Sequence, residues 1–127
     1  MPHFHKVSLL TGADGRAYWA QETLALDEGT AQAALSRLKS SAGYQFRESP
    51  VGFRSSFHCT GTPQWVFILS GAMEIGLQDG SVRQFHPGDH FYSADLLPAG
   101  EVFDSTKHGH WSRQAGPQPL QTLFVRD

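Results

Sequence analysis

The sequence contains a single cysteine, Cys59, so the chain cannot form a disulfide bond within itself. Nothing in it therefore requires an oxidising compartment. Long hydrophobic runs are also missing, since no apolar segment approaches the roughly 18 residues that a membrane-spanning helix needs. The first residues lack the pattern of a secretory signal peptide. From these absences we expect a soluble, cytoplasmic protein without a membrane partner.

Charge is scarce and almost balanced. Asp, Glu, Lys and Arg make up 17% of the 127 residues, and the formal net charge is −2. Because nucleic-acid-binding domains usually carry a basic surface, we expect no nucleic-acid partner. The phosphate-binding glycine loop, the Gly-x-Ser-x-Gly elbow and the Cys-x-x-Cys pair are all absent. Their absence argues against P-loop nucleotide hydrolases, α/β hydrolases and dithiol redox proteins.

Glycine and proline, by contrast, are frequent at 13 and 7 residues, and they separate short apolar segments. Residues 73–77 alternate between apolar and small or polar side chains, the pattern of a half-buried strand. Asp79-Gly80 then predicts a hairpin turn. Short strands at regular spacing favour an all-β sandwich or barrel. Strands are predicted at 7–10, 18–26, 46–50, 52–59, 65–69, 73–77, 82–85, 91–92, 109–113 and 120–125.

One short helix is predicted near the N-terminus, from Thr30 to Lys39. Thr30 is a typical N-cap, and apolar residues follow it at the spacing of one helix face: Ala31, Ala34, Leu35 and Leu38. No repeat or linker divides the sequence, so we expect one domain over 1–127, with a barrel core at about 44–126 and an N-terminal extension at 1–43. The extension's apolar segments exceed the needs of one small barrel. They predict a homodimer.

The sequence after residue 44 resembles the cupin family. His58 stands where the family's first motif begins with His, Gln64 where it has Glu, and Gly71 where it ends. Pro87-Gly88-Asp89 matches the turn of the second motif, and His110 matches its late His. The resemblance covers about 44–126 and implies a cupin-type double-stranded β-helix, a jelly-roll barrel.

A narrower resemblance is to small stand-alone bacterial cupins of unsettled function, which share a lone His, a downstream Gln and a segment like Asp104-Ser-Thr-Lys-His-Gly-His110. Thr60 departs from the family pattern, because it stands where the second His of the first motif belongs. Residues 93–103 also form a longer segment than small cupins usually have there.

The resemblance implies a site inside the barrel. His58, Gln64 and His110 would be metal ligands, and His108 shares a face with His110 because strand side chains alternate. Imidazole nitrogens and an amide oxygen would bind one divalent transition metal: Fe, Mn, Ni or Zn. The residues expected to contact substrate are Thr60, Trp65 and Phe67.

Three functions remain open from the sequence. The first is a metal-dependent enzyme, acting as a dioxygenase, isomerase or decarboxylase on a small organic molecule, with Glu101 or Asp104 as acid or base. The second is a cupin that binds a small ligand without catalysis, where His58 and His110 are hydrogen-bonded polar residues of the pocket. The third is an interaction module whose barrel is filled by side chains: Phe57, Phe67 and Phe91. Fold alone does not decide between them.

Overall fold

A computed structural model describes residues 2–127, which form strands, turns and loops. The eleven strands are β1 (His3–Thr11), β2 (Ala17–Ala25), β3 (Glu28–Thr30), β4 (Ala33–Leu35), β5 (Gly43–Ser49), β6 (Gln64–Ser70), β7 (Ala72–Gly76), β8 (Val82–Phe85), β9 (His90–Ala94), β10 (Trp111–Ala115) and β11 (Leu120–Arg126). The prediction of an all-β fold is confirmed. Over the described residues, nothing helical is long and apolar enough to cross a membrane.

Two sheets face one another. The large sheet has six strands in the order β2-β1-β9-β6-β11-β5, and the small sheet has the order β10-β7-β8. Neighbouring strands are antiparallel except β1 and β9, which run parallel. In residues 2–127 the two sheets remain separate and do not close into one continuous hydrogen-bonded barrel.

The core lies between the two sheets. The large sheet contributes Leu9, Val66, Ile68, Phe91 and Leu120, and the small sheet side contributes Met73, Ile75, Leu77 and Phe85. Strand alternation explains this selection, because every second side chain of β6 points inward. Val66 and Ile68 are therefore buried, whereas Trp65, Phe67 and Leu69 lie on the outer face.

The predicted helix from Thr30 to Lys39 is wrong. This segment contains the hairpin β3–β4, in which Thr30 pairs with Ala33. Gly29 has a φ of +79°, and a Cβ there would lie 2.2 Å from the carbonyl oxygen of Ala33. The helical spacing of apolar residues has no surface to pack against, since Leu38 is 94% exposed. An amphipathic helix this short is unstable without such packing.

The strand predicted at 52–59 is replaced by an irregular segment. Two isolated bridges hold it, one joining Arg54 to Arg113 and the other joining His58 to His110. The segment therefore runs beside β10 and beside His110, which directly precedes that strand. Strand β10 is itself fixed against β7, because the Trp111 ring covers Gly76, where a Cβ would lie 1.9 Å from the ring.

Candidate functional site

The inner face of the large sheet changes from apolar to polar toward one end. Along β9 the inward positions are Phe91 and Ser93, and Asp95 follows just beyond the strand. Gln64 at the start of β6 pairs with Ser93. Thr11 at the end of β1 donates a hydrogen bond to Asp95 Oδ1 at 2.7 Å. The strand register therefore gathers polar side chains at a single end of the interior.

His58 and His110 meet at this end. Their backbones exchange two hydrogen bonds, of 2.9 and 3.0 Å, and their ring centroids are 4.7 Å apart. Gly109 permits this approach: its φ is +84°, and a Cβ there would lie 2.6 Å from the His58 carbonyl oxygen. A side chain at residue 109 would push the two histidines apart.

His110 is oriented by Asp95. The Nδ1 of His110 donates to Asp95 Oδ2 at 2.9 Å, and both side chains are buried. Because Nδ1 carries the proton, the Nε2 of the neutral ring presents a lone pair. A carboxylate that accepts a hydrogen bond from an imidazole in this way fixes the tautomer and the orientation of the ring.

His58 has the same tautomer for a different reason. Its Nδ1 donates to the carbonyl oxygen of Ser56 at 2.9 Å, so its Nε2 also presents a lone pair. Although the side chain is solvent-exposed, partial burial is the main reason that the His58 pKa is lowered, and electrostatic interactions with His110 and Arg47 lower it further. His58 is therefore held in the neutral form that can bind a metal or accept a proton.

Arg47 is an exposed cation on β5, where it pairs with Thr122. Its guanidinium carbon lies 5.0 Å from the centroid of the Phe53 ring and 5.9 Å from that of Phe124. Its charge contributes to the low pKa of His58. A guanidinium that rests on two aromatic rings thus acts electrostatically on His58.

Thr60 and Gln64 also belong to this region. Thr60 Oγ1 lies 2.8 Å from Ser93 Oγ, and the Thr60 amide donates to the Asp95 carbonyl oxygen at 2.7 Å. Gln64 lies across from Ser93, on the same face of β6 as Val66. The structure therefore brings His58, Thr60, Gln64 and His110 to the same end of the fold.

His108 lies elsewhere and uses both ring nitrogens. Its Nδ1 accepts the Asp104 amide at 2.9 Å, and its Nε2 donates to Glu101 Oε1 at 3.0 Å. The hydrogen bond from His108 is the main reason that the Glu101 pKa is lowered. His108, Glu101 and Asp104 fix the loop before β10, and none of the three is brought beside His58.

Trp65 and Phe67 are not brought to this site either. They lie on the outer face of β6, with their rings stacked at a centroid distance of 5.8 Å. Trp65 also packs near His90, and the Lys6 ammonium lies 5.0 Å from its ring. Of the aromatic residues considered as barrel filling, Phe91 is in the core and Phe67 is outside it.

The number of metal-binding side chains at His58 and His110 is small for a metal site. Within residues 2–127, no group of three or more His, Cys, Asp or Glu side chains is arranged to hold a metal ion. The site offers two imidazole nitrogens, which suit first-row transition metals. Typical catalytic zinc sites have three protein ligands, so an amide from Gln64 and solvent would have to complete the shell.

Sequence reasoning missed Asp95 and Arg47. Asp95 had a usable signal, because it continues the two-residue period of the inward Phe91 and Ser93. A carboxylate at such a position requires a buried partner. Arg47 gave no comparable signal, since its neighbours on β5 are mostly exposed.

Comparison with known proteins does not assign this chain to a family. No protein-family model matches the chain, and neither does any curated protein sequence. A solved structure of a putative ethanolamine utilization protein Q from Salmonella typhimurium aligns with 99% of this chain and 97% of its own, at 13% identity and a TM-score of 0.42. Values this low do not establish a shared fold or function.

Proposed function

We propose that this chain is a small cupin-type protein that binds a divalent transition metal and a small organic molecule at the end of the interior formed by His58 and His110. The observation that carries the proposal is a pair of adjacent imidazoles with ring centroids 4.7 Å apart. The Nδ1 atoms of both rings act as hydrogen-bond donors. Each ring therefore keeps its Nε2 lone pair free for a ligand. The order of the cupin-like motifs in the sequence supports the same assignment.

Each nearby residue has a defined role in this proposal. His58 and His110 bind the metal through Nε2, and Gln64 supplies an amide oxygen. Asp95 holds the His110 ring in place. Arg47 attracts an anionic group such as a substrate carboxylate, since its guanidinium is close enough to affect the His58 pKa. Bound Fe, Mn, Ni or Zn would supply Lewis-acid or oxygen chemistry of the dioxygenase, isomerase or decarboxylase type.

Metal content tests the proposal directly. Protein purified without chelator would be equilibrated separately with Fe, Mn, Ni and Zn salts, desalted and analysed for metal by mass spectrometry. We expect about one metal per chain for at least one element. His58→Ala should reduce this content several-fold, whereas His86→Ala, which changes an exposed histidine of a turn, should not. Equal metal content in the two variants would contradict the proposal.

A second function is favoured by the short donor set. Because residues 2–127 provide no cluster of three acidic, cysteine or histidine ligands, Arg47 and the two imidazoles would instead bind a small carboxylate without a metal. Thermal-shift screening of small carboxylic acids in the presence of EDTA tests this function. Stabilisation that survives EDTA and is lost in Arg47→Met supports it, and stabilisation that requires metal supports the first function.

A further inference from the structure

Residues 27–42 form an exposed arm that connects the two edges of the large sheet. Strand β2 is at one edge, β5 is at the other, and the arm lies between them in sequence. Within the described chain, β3 and β4 of the arm hydrogen-bond with each other and with neither sheet. The arm nevertheless carries apolar side chains that are exposed to solvent, including Leu35 and Leu38.

A second apolar surface lies on the outer face of β5, β11 and β6. Tyr44 and Phe46 on β5 are 70% and 69% exposed. The strand register extends this surface inward. In one row across the three strands, Phe46 pairs with Leu123, and Leu123 pairs with Phe67. In the next row, Tyr44 pairs with Val125, and Val125 pairs with Trp65. We call these six residues the outer patch. The small sheet packs on the opposite face of the large sheet. Tyr44 and Phe46 therefore stay exposed, and the other four residues of the outer patch are half-buried.

The total accessible surface of the chain is larger than expected for a compact monomer of its mass. The chain exposes 7657 Å², whereas a compact monomer of 14.0 kDa is expected to expose about 6,700 Å². The excess of about 950 Å² is close to the roughly 800 Å² that each partner buries in a standard interface. The uncovered surface is therefore large enough for a stable dimer.

We propose that the arm of one copy packs against the outer patch of a second copy, and that a twofold axis makes this contact twice. A second copy is the fitting occupant because one chain carries both the projecting apolar arm and an apolar surface to receive it. Twofold dimers form from such self-complementary surfaces. Aromatic residues such as Tyr44 and Phe46 are typical anchors of interfaces. This inference is independent of the metal and ligand proposed for His58 and His110.

The first test compares three substitutions by size-exclusion chromatography with light scattering at micromolar concentration. The wild-type chain should have twice its mass of 14.0 kDa. Leu38→Asp and Phe46→Glu should each weaken dimerisation by about tenfold or more. Val102→Asp is the matched control, because Val102 is 88% exposed but lies outside both surfaces, and it should remain dimeric. Circular dichroism should show the same strand content in all four proteins.

A mixing experiment distinguishes arm-to-patch contact from other dimers. A mixed dimer of the Leu38→Asp and Phe46→Glu chains retains one intact contact, between the arm of the Phe46→Glu chain and the patch of the Leu38→Asp chain. Mixing the two weakened variants should therefore give more dimer than either variant forms alone at the same total concentration. A monomeric wild-type chain, dimers unaffected by both substitutions, or no restoration on mixing would each overturn the proposal.

Discussion

Asp95 and His110 form a buried pair in which the imidazole Nδ1 donates to the carboxylate at 2.9 Å. The carboxylate comes from the end of β9 and the imidazole from the approach to β10, so the hydrogen bond joins the large sheet to the small one. Thr11 from β1 donates to the other carboxylate oxygen. Asp95 thus links three segments of the chain while directing the free Nε2 of His110 away from itself.

The first prediction follows from that pair. Asp95→Asn keeps the size of the side chain but removes its charge, so the tautomer and orientation of the His110 ring are less firmly set. We expect metal affinity to fall by about 10- to 100-fold, the usual effect of losing such a partner. Competition with a coloured chelator would measure it. Asp14→Asn is the control, because Asp14 lies in an exposed turn and accepts the Arg16 amide; an equal loss in both variants would argue against a specific role for Asp95.

The second prediction concerns the close approach at Gly109. Gly109→Ala combines an unfavourable positive φ with a Cβ 2.6 Å from the His58 carbonyl oxygen. Gly116→Ala has a similar φ of +78°, but a Cβ there meets nothing within 4 Å. We expect Gly116→Ala to lower the free energy of unfolding by about 1 kcal/mol and Gly109→Ala by about 3 kcal/mol. Urea unfolding would measure both.

Metal binding separates these glycine variants further. Gly109→Ala should weaken binding because His58 and His110 move apart, whereas Gly116→Ala should bind metal like the wild type. If the two variants lose the same stability and the same affinity, the close backbone contact at Gly109 does not hold the site together.

Much of the fold follows from the alternation of side chains. The alternating segment 73–77 corresponds to β7 with its inward Met73 and Ile75, and the Asp79-Gly80 turn leads into β8. The arm was not predictable in this way, because its apolar spacing satisfies a helical period by coincidence. The three-dimensional context shows instead that Leu35 is 57% exposed and Leu38 94% exposed.

The site was predictable only in part. The cupin-like motifs select His58, Gln64 and His110, and the structure brings them to one end of the interior, but their role as ligands stays a prediction. The pairing of Asp95 with His110 depends on the registers of β9 with β1 and β6. Periodicity within one segment contains no information about such registers. The alternation of β6 likewise sends Trp65, one of the expected substrate contacts, to the outer face.

The third prediction is a pH dependence that originates at His58. Its folded-state pKa is lowered, chiefly by burial, so the unfolded chain binds the proton more readily than the folded one. The unfolded state then holds more protons as the pH falls, and stability decreases. In chelator-treated protein, the stability due to His58 should be complete when the pH is above the ordinary histidine pKa of about 6.5. It should be lost as the pH falls through the lowered pKa of the folded state.

Urea unfolding between pH 8 and about 5, compared for wild type and His58→Gln, would measure this contribution. The wild type should lose more stability than the variant over that range. An identical pH profile in the two proteins would show that His58 titrates with an ordinary pKa. Metal occupancy should follow the same lowered pKa, because only the neutral ring binds metal.

The fourth prediction addresses the missing third imidazole. Thr60 lies at the polar end of the interior, with its Oγ1 2.8 Å from Ser93 Oγ and its amide bonded to the Asp95 carbonyl oxygen. Thr60→His places a third imidazole beside His58 and His110, and three protein ligands are the usual number for an open metal site. We expect metal affinity to rise by about tenfold or more, measured by chelator competition. Thr62→His is the control, because it adds the same side chain in the exposed turn before β6. A rise in Thr60→His alone locates the metal at the two histidines, whereas equal affinities in both variants and the wild type would contradict a metal site there.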